Sequence, residues 1–374
     1  MRFLFSKSTA VLVCLLALLA SLIVIDQTRG GPATILSRCN LMLARVNAPA
    51  ADVLIVGSSR SGVALDPLTL QSILQGEITG NPTVERMAMG NITLRSSHAL
   101  LNTYLDRRGA PEIVLLEASF MTPRTVTRLA PAAKGQASEH YLFGRDVNLM
   151  TFGQLLTQPA VAMPYTEAEN LATVWRLRLR GTILRAGALV YQFAKAPFED
   201  WSFSRCGYDE ITREATWPKD FSFTYGDFKP EAGLPELIAA LRTELAALSK
   251  DRTLKDWQGN LPTDQDYPYD IDQTYREGEM VYLTGMARMA AQRGAQVIVL
   301  PMPLYGYTID PDDMVALKNA LPDSARIFDL YAQIGMEFND FWYDDAHLEK
   351  HPTALLTTAL MAEHVVDILG PGAR

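Results

Sequence analysis

Short apolar runs alternate with helix-periodic segments over roughly residues 50–122 and 275–370. Val53–Val56 is apolar throughout and ends at a Gly-Ser turn, as expected of a strand buried on both faces. Asp66 before Pro67 is a candidate N-cap for a helix that runs to Leu74. The other predicted strands are Val84–Met89, Glu112–Leu116, Gln296–Leu300 and Arg326–Leu330, and the other predicted helices are Thr93–Arg107, Tyr275–Arg293 (ended by Gly294 as C-cap), Asp312–Leu321 and Thr353–Leu369. Strands that alternate with helices predict an α/β fold with a central parallel sheet covered on both faces.

The alternation breaks between about residues 122 and 270, where Pro, Gly and aromatic residues are common and helical patterns occur near 165–195 and 233–250. We predict that this region is a large insertion between strands three and four. Its aromatic residues are candidates either for stacking on sugar rings or for the core of a subdomain. They are Trp201, Phe203, Trp217, Phe221, Phe223, Tyr225 and Phe228.

The N-terminal segment, residues 1–25, has the pattern of a membrane anchor or a signal. Arg2 and Lys7 precede a stretch from Thr9 to Ile25 that is almost wholly apolar, and no clear cleavage site follows it. We favour an uncleaved anchor over a cleaved signal, with the bulk of the chain outside the cytoplasm, in the periplasm or at the cell exterior. Residues 26–50 are predicted to be a linker and residues 51–374 a single domain that contains the insertion.

The charge of the chain bears on its partners, and its cysteines bear on a possible disulfide. The chain has 34 basic and 42 acidic residues and no basic run, which argues against a nucleic-acid partner. Its three cysteines are Cys14, within the apolar stretch, and Cys39 and Cys206, which are candidates for a disulfide or for two buried thiols.

Polar residues follow the first predicted strand as Gly57-Ser-Ser-Arg-Ser61. Ligands of open parallel sheets bind beyond the carboxyl ends of the strands, so Ser58, Ser59 and Ser61 are candidate nucleophiles. The alternative is a polar turn that caps the next helix. Arg60 is a candidate for binding an anionic substrate or is a solvated turn residue.

A carboxylate–histidine pair lies near the C-terminus, in Asp344-Asp-Ala-His347. A carboxylate three residues before a histidine can accept its Nδ1–H and leave Nε2 free for a serine. His347 and His351 also have the spacing of a metal pair, but Pro352 argues against one helix through both, and we expect neither a metal nor a cofactor.

The two segments together resemble the SGNH (GDSL-like) hydrolases, which have Gly-x-Ser after strand one and D-x-x-H near the C-terminus. The resemblance implies a flavodoxin-like three-layer sandwich with Ser59 as nucleophile, His347 as base and Asp344, rather than Asp345, as its orienting residue. It also implies that the oxyanion hole includes the N–H groups of Ser59 and Gly90.

The third block of that family, Gly-x-Asn, is absent, and Leu115-Leu-Glu-Ala-Ser-Phe120 stands in its place. Asn91 and Ser119 are the candidates for the missing donor. The Gly-Ser-Ser first block is similar to a divergent branch, the membrane-anchored envelope proteins of alginate O-acetylation and teichoic-acid D-alanylation. That resemblance implies a partner acyltransferase of the integral-membrane MBOAT type.

These expectations describe a serine esterase or O-acyltransferase of the cell envelope that uses an acyl-serine intermediate on a polysaccharide or acyl-ester substrate. The alternative hypothesis is a catalytically inactive protein that uses the same scaffold to bind a glycan or a membrane partner.

Overall fold

The computed structural model describes residues 11–17, 43–44, 48–89, 94–118, 233–251, 273–302, 311–334 and 353–370. At Ser59 the backbone alone is described.

Five strands form one sheet in which every neighbouring pair is parallel. They are β1 (Val53–Ser58), β2 (Val84–Met89), β3 (Ile113–Glu117), β4 (Gln296–Leu300) and β5 (Ala325–Ile327). Their spatial order is β2-β1-β3-β4-β5, one of the two common orders of doubly wound α/β sheets and the one found in flavodoxin-like folds. The prediction of an α/β fold with a parallel sheet is confirmed.

Eight helices connect and flank these strands within the described ranges. They are α1 (Ser59–Ala64), α2 (Pro67–Glu77), α3 (Leu94–Arg108), α4 (Leu234–Asp251), α5 (Gln273–Gln292), α6 (Pro311–Ala320), α7 (Leu330–Ile334) and α8 (Thr353–Leu369).

Each face of the sheet carries its own apolar core, because alternate residues of a strand point to opposite faces. Val53 and Ile55 of β1 join one cluster with side chains of α2, α4, α7 and α8. Leu54 and Val56 join a second cluster with side chains of α3, α5 and α6. The continuous apolar runs of β1, β3 and β4 follow from this burial on both faces.

Local signals fix two helix ends as predicted. The Asp66 side chain accepts from the Thr69 amide at 2.8 Å and caps α2, which begins at Pro67. Gly294 has φ +94° just after α5, a left-handed conformation that glycine adopts without a Cβ penalty.

Several predicted boundaries differ from the observed ones by one to three residues, and in two segments part of the chain forms a helix that was not predicted. The last predicted strand, Arg326–Leu330, ends at Ile327, because Asp329 accepts from the Ala332 amide at 3.2 Å and starts α7 at Leu330. The first predicted strand, Val53–Val56, continues to Ser58, and a helix starts at Ser59 where the sequence predicted a polar turn.

The two less regular parts of the chain are described only in part. Helix α4 lies in the predicted insertion and packs on the same core as α8, through Leu234, Ile238, Leu241 and Leu245. Of the predicted anchor, residues 11–17 are described and are helical. Within the described ranges, no helix combines the length and the apolar content needed to cross a membrane.

Candidate active site

The serine segment forms the junction between β1 and α1. Ser58 ends the strand and is the N-cap of the helix, with φ −97° and ψ −166°, and its Oγ accepts from the Arg60 amide at 3.2 Å. Serine suits this position because its short hydroxyl satisfies one of the amides that the first helical turn leaves without an intrahelical partner. Ser59 is therefore the first residue of α1, directly beyond the carboxyl end of β1.

Glu117, the last residue of the neighbouring strand β3, accepts hydrogen bonds from this junction. Its Oε2 accepts from the Ser58 amide at 2.6 Å and from the Ser61 amide at 3.1 Å, and its Oε1 accepts from the Ser58 hydroxyl at 2.5 Å. The residue is 1% exposed. A buried carboxylate requires such compensation, because an unpaired charge is costly in the interior.

Gly57 makes room for that carboxylate. A Cβ at this position would lie 2.7 Å from the Glu117 Cβ and would also collide with Glu117 Oε2 and Ser61 Oγ. The β1–β3 backbone pairing ends at Val56–Leu116, and beyond it the Ser58 amide donates to the Glu117 side chain. The absence of a side chain at Gly57 thus leaves space for the Glu117 side chain at the carboxyl ends of β1 and β3.

The other end of α1 is held by β2 and α8. Arg86 Nη1 donates to the Gly62 carbonyl at 2.5 Å and to the Leu65 carbonyl at 3.3 Å. The Thr357 hydroxyl of α8 donates to the Ala64 carbonyl. A cation and a hydroxyl at the last turn satisfy carbonyls that have no intrahelical donor.

Helix α8 also contacts the start of α2. The Thr358 hydroxyl accepts from the Asp66 amide at 3.1 Å and donates to the Ala354 carbonyl at 2.7 Å. Thr357 and Thr358 are both fully buried. The segment just after the D-x-x-H motif is thereby joined to the segment just after the candidate serine.

The three candidate serines differ in what the structure shows. Ser61 is fully buried, and its hydroxyl donates to the Ser58 carbonyl at 3.2 Å. The Ser58 hydroxyl is engaged by both Glu117 and the Arg60 amide. These contacts give Ser58 and Ser61 structural roles, whereas of Ser59 the structure describes only the backbone, at the first residue of α1.

The remaining predicted site residues are described little or not at all. Arg60 is partly buried in α1. Gly90, Asn91, Ser119, Asp344 and His347 lie outside the described residues, as do Cys39 and Cys206 of the predicted disulfide. Cys14 is exposed and unpaired.

The sequence interpretation assigned no role to Glu117 or Arg86. Glu117 ends an otherwise apolar run, Ile113–Leu116, and a carboxylate at the end of a buried strand is a sign of a satisfied polar site. Arg86 lies within β2, where a long cation likewise needs acceptors.

No protein-family model matches the chain, and no curated protein matches it. Among the residues that the structure describes, no group of three or more His, Cys, Asp or Glu side chains is arranged to hold a metal ion.

Proposed function

We propose that the chain is an SGNH-type serine esterase or O-acyltransferase of the cell envelope, tethered to the cytoplasmic membrane by its N-terminal segment. Its substrate would be an acyl ester and its acceptor a hydroxyl of an extracellular polysaccharide. The observation that carries the proposal is the helix that begins at Ser59. This helix is fixed at the carboxyl edge of a parallel sheet by Glu117, Arg86 and Thr357.

The link from α8 to α1 supports a pairing of Ser59 with His347. Thr357 contacts the carbonyl of Ala64, five residues after Ser59. His347 precedes the first residue of α8, Thr353, by six positions, so the connecting chain spans at most about 20 Å. The two halves of the predicted triad are therefore attached to segments that contact one another.

In the proposed reaction, Ser59 Oγ attacks the acyl carbon while its proton passes to His347 Nε2. Asp344 would accept from Nδ1 and hold the imidazole in the tautomer that this step needs. The amides of Ser59 and Gly90, with Asn91 or Ser119 as a further donor, would stabilise the oxyanion of the tetrahedral intermediate. The carbon–oxygen bond to the leaving alcohol then breaks, and His347 returns the proton to that alcohol.

The second half of the reaction decides between transfer and hydrolysis. A sugar hydroxyl or a water attacks the acyl-Ser59 carbonyl and gives its proton to His347. The bond to Ser59 Oγ breaks, and the proton returns to the serine. A sugar hydroxyl yields an O-acylated glycan and water yields a free acid, with the same residues acting in both cases.

The test of this proposal is turnover of p-nitrophenyl acetate by the full-length chain in detergent. Ser59→Ala is expected to remove turnover above the uncatalysed rate, because the nucleophile is lost. Ser97→Ala is the matched control: Ser97 is buried on α3, and its hydroxyl has no hydrogen-bond partner within the described part of the chain. Equal activity of Ser59→Ala and wild type would remove the basis for an acyl-serine mechanism.

A second measurement separates the two reactions. The protein is incubated with p-nitrophenyl acetate and an oligosaccharide, and O-acetyl groups on the sugar are measured by mass spectrometry. Ser59-dependent acetylation supports transfer. Release of acetate alone supports an esterase that has the same nucleophile.

A further inference from the structure

We propose that Glu117 is the positioning residue for Ser59: its carboxylate fixes the start of α1 so that the serine meets the acyl carbon in one orientation. This inference rests on the proposed function, and it assigns a role to a residue that replaces the Gly-x-Asn block after β3.

The contacts of Glu117 are concentrated on the residues that flank Ser59. The amides of Ser58 and Ser61 donate to Oε2, and the hydroxyl of Ser58 donates to Oε1. The amide of Arg60 in turn donates to the Ser58 hydroxyl. One carboxylate therefore fixes, directly or through Ser58, the backbone on both sides of Ser59. The Ser59 amide is one of the donors that the proposed mechanism assigns to the oxyanion.

The carboxylate is itself held by the sheet. Glu117 pairs with Leu300 in the β3–β4 ladder, and the amide of the next residue, Ala118, donates to the Leu300 carbonyl at 2.8 Å. Gly57 lies against its side chain with no Cβ between them. Glu117 therefore anchors the start of α1 to β3, which is the central strand of the sheet because it lies between β1 and β4.

The reach of the side chain, rather than its charge alone, makes this arrangement possible. Both oxygens are used, and they bond to groups of residues 58 and 61 on the same helical turn. A carboxylate that is one methylene shorter cannot contact both groups from the same backbone position. Glutamine has the same length, and its carbonyl oxygen can accept from both amides while its amide donates to the Ser58 hydroxyl.

The proposal predicts a specific order of activities for substitutions at Glu117. Glu117→Ala and Glu117→Asp are expected to lower kcat for p-nitrophenyl acetate by about 100-fold with KM within about threefold of wild type, because a displaced nucleophile affects the transition state more than substrate binding. Glu117→Gln is expected to restore kcat to within about tenfold of wild type, since the geometry is kept.

The matched control is Glu85→Ala on β2, which removes another hydrogen-bonded carboxylate of the same sheet. Glu85 accepts from Tyr104 and Arg108 and has no contact with the serine segment among the described hydrogen bonds. It is expected to lower the melting temperature and to leave kcat as in wild type at a temperature where the variant is folded.

Hydrogen–deuterium exchange of the peptide that spans residues 57–64 gives a readout independent of turnover. Faster exchange is expected in Glu117→Ala and Glu117→Asp, because the amides of Ser58 and Ser61 lose their acceptor, and wild-type exchange is expected in Glu117→Gln and Glu85→Ala.

The possible outcomes distinguish a failure of the role of Glu117 from a failure of the proposed function. Unchanged kcat in Glu117→Ala, with Ser59-dependent turnover intact, overturns the role of Glu117 alone. The order Glu117→Asp active and Glu117→Gln inactive also overturns it, since charge rather than position would then matter. Absence of Ser59-dependent turnover in the wild type overturns the proposed function and, with it, the catalytic role of Glu117, even where the exchange data show the contact.

Discussion

The hydroxyl of Ser58 donates to Oε1 of Glu117 at 2.5 Å, although the two residues lie 59 positions apart in the chain. One residue ends β1 and the other ends β3, so the contact joins two neighbouring strands where their backbone pairing has stopped. The contact lies at the carboxyl edge of the sheet, where ligands of parallel α/β folds bind. It also determines how the chain leaves the first strand and enters α1.

The close approach of Gly57 to Glu117 predicts that a methyl group is not tolerated there. Gly57→Ala would place a Cβ 2.7 Å from the Glu117 Cβ, so β1 and β3 must separate or the carboxylate must leave its donors. We expect a loss of roughly 1–3 kcal/mol in the free energy of unfolding, measured by urea denaturation. Gly76→Ala is the control, because a Cβ at that position of α2 meets nothing within 4 Å, and it is expected to stabilise by up to about 1 kcal/mol. Equal effects of the two substitutions would show that the approach is not tight.

The threonines of α8 predict that the C-terminal helix contributes to the stability of the serine junction. Thr357→Val removes the donor to the Ala64 carbonyl, and Thr358→Val removes the acceptor of the Asp66 amide. Each is expected to cost about 1–3 kcal/mol, because a buried backbone group loses its nearest side-chain hydrogen-bond partner. Thr69→Val is the control: its hydroxyl is buried with no hydrogen-bond partner in the described structure, so the same change should be neutral or stabilising. Thermal unfolding of the three variants compares them directly.

The sequence predicted the sheet better than it predicted the site. The strands β1, β3 and β4 follow from apolar runs bounded by polar or glycine residues, and such runs persist because burial on both faces selects them. The caps at Asp66 and Gly294 were also identified, since capping depends on side chains close to the helix end.

The features that the sequence did not predict are short helices and a contact between distant segments of the chain. Helices α1 and α7 have 6 and 5 residues, too few for an apolar periodicity to be recognised. The role of Glu117 depends on a partner 59 residues away, and no local pattern indicates which segments β1 and β3 bring together. The strand predicted over Arg326–Leu330 extends too far, because the capping role of Asp329 becomes evident only from its contact with Ala332.

The pKa values of two histidines predict how stability varies with pH. Burial lowers the pKa of His98 below its ordinary 6.5, and burial, followed by the charge of Arg326, lowers that of His364 against the opposing effect of Asp367. Below pH 6.5 the unfolded chain takes up protons that the folded chain does not, so the free energy of unfolding should fall as the pH falls from 6.5 through the folded pKa values. Denaturation midpoints at several pH values between 5 and 8 measure the slope. The slope should flatten in the double variant His98→Gln, His364→Gln, and an unchanged slope would assign the effect to other groups.

Loss of the ion pair between β2 and α3 is expected to lower the free energy of unfolding without affecting the serine segment. Arg108 donates to both oxygens of Glu85, at 2.7 and 2.9 Å, and also to the carbonyls of Leu43 and Pro49. Its side chain is 4% exposed. Arg108→Ala leaves Glu85 without its cation and is expected to cost on the order of 3 kcal/mol, while kcat of the folded fraction stays unchanged. Circular dichroism during heating, with Arg107→Ala on the same helix as control, tests this expectation, and a parallel loss of kcat would contradict the separation of the two regions.

The most direct test of the central claim is the identity of the residue that becomes acylated. The full-length protein is mixed with p-nitrophenyl acetate, quenched in acid and mapped by peptide mass spectrometry. The predicted result is one acetyl group on Ser59, absent in Ser59→Ala and strongly reduced in His347→Ala, because the base that activates the serine is lost. An acetyl group on Ser58 or Ser61, or wild-type turnover by Ser59→Ala without any acyl-enzyme, would contradict the assignment of Ser59 as the nucleophile.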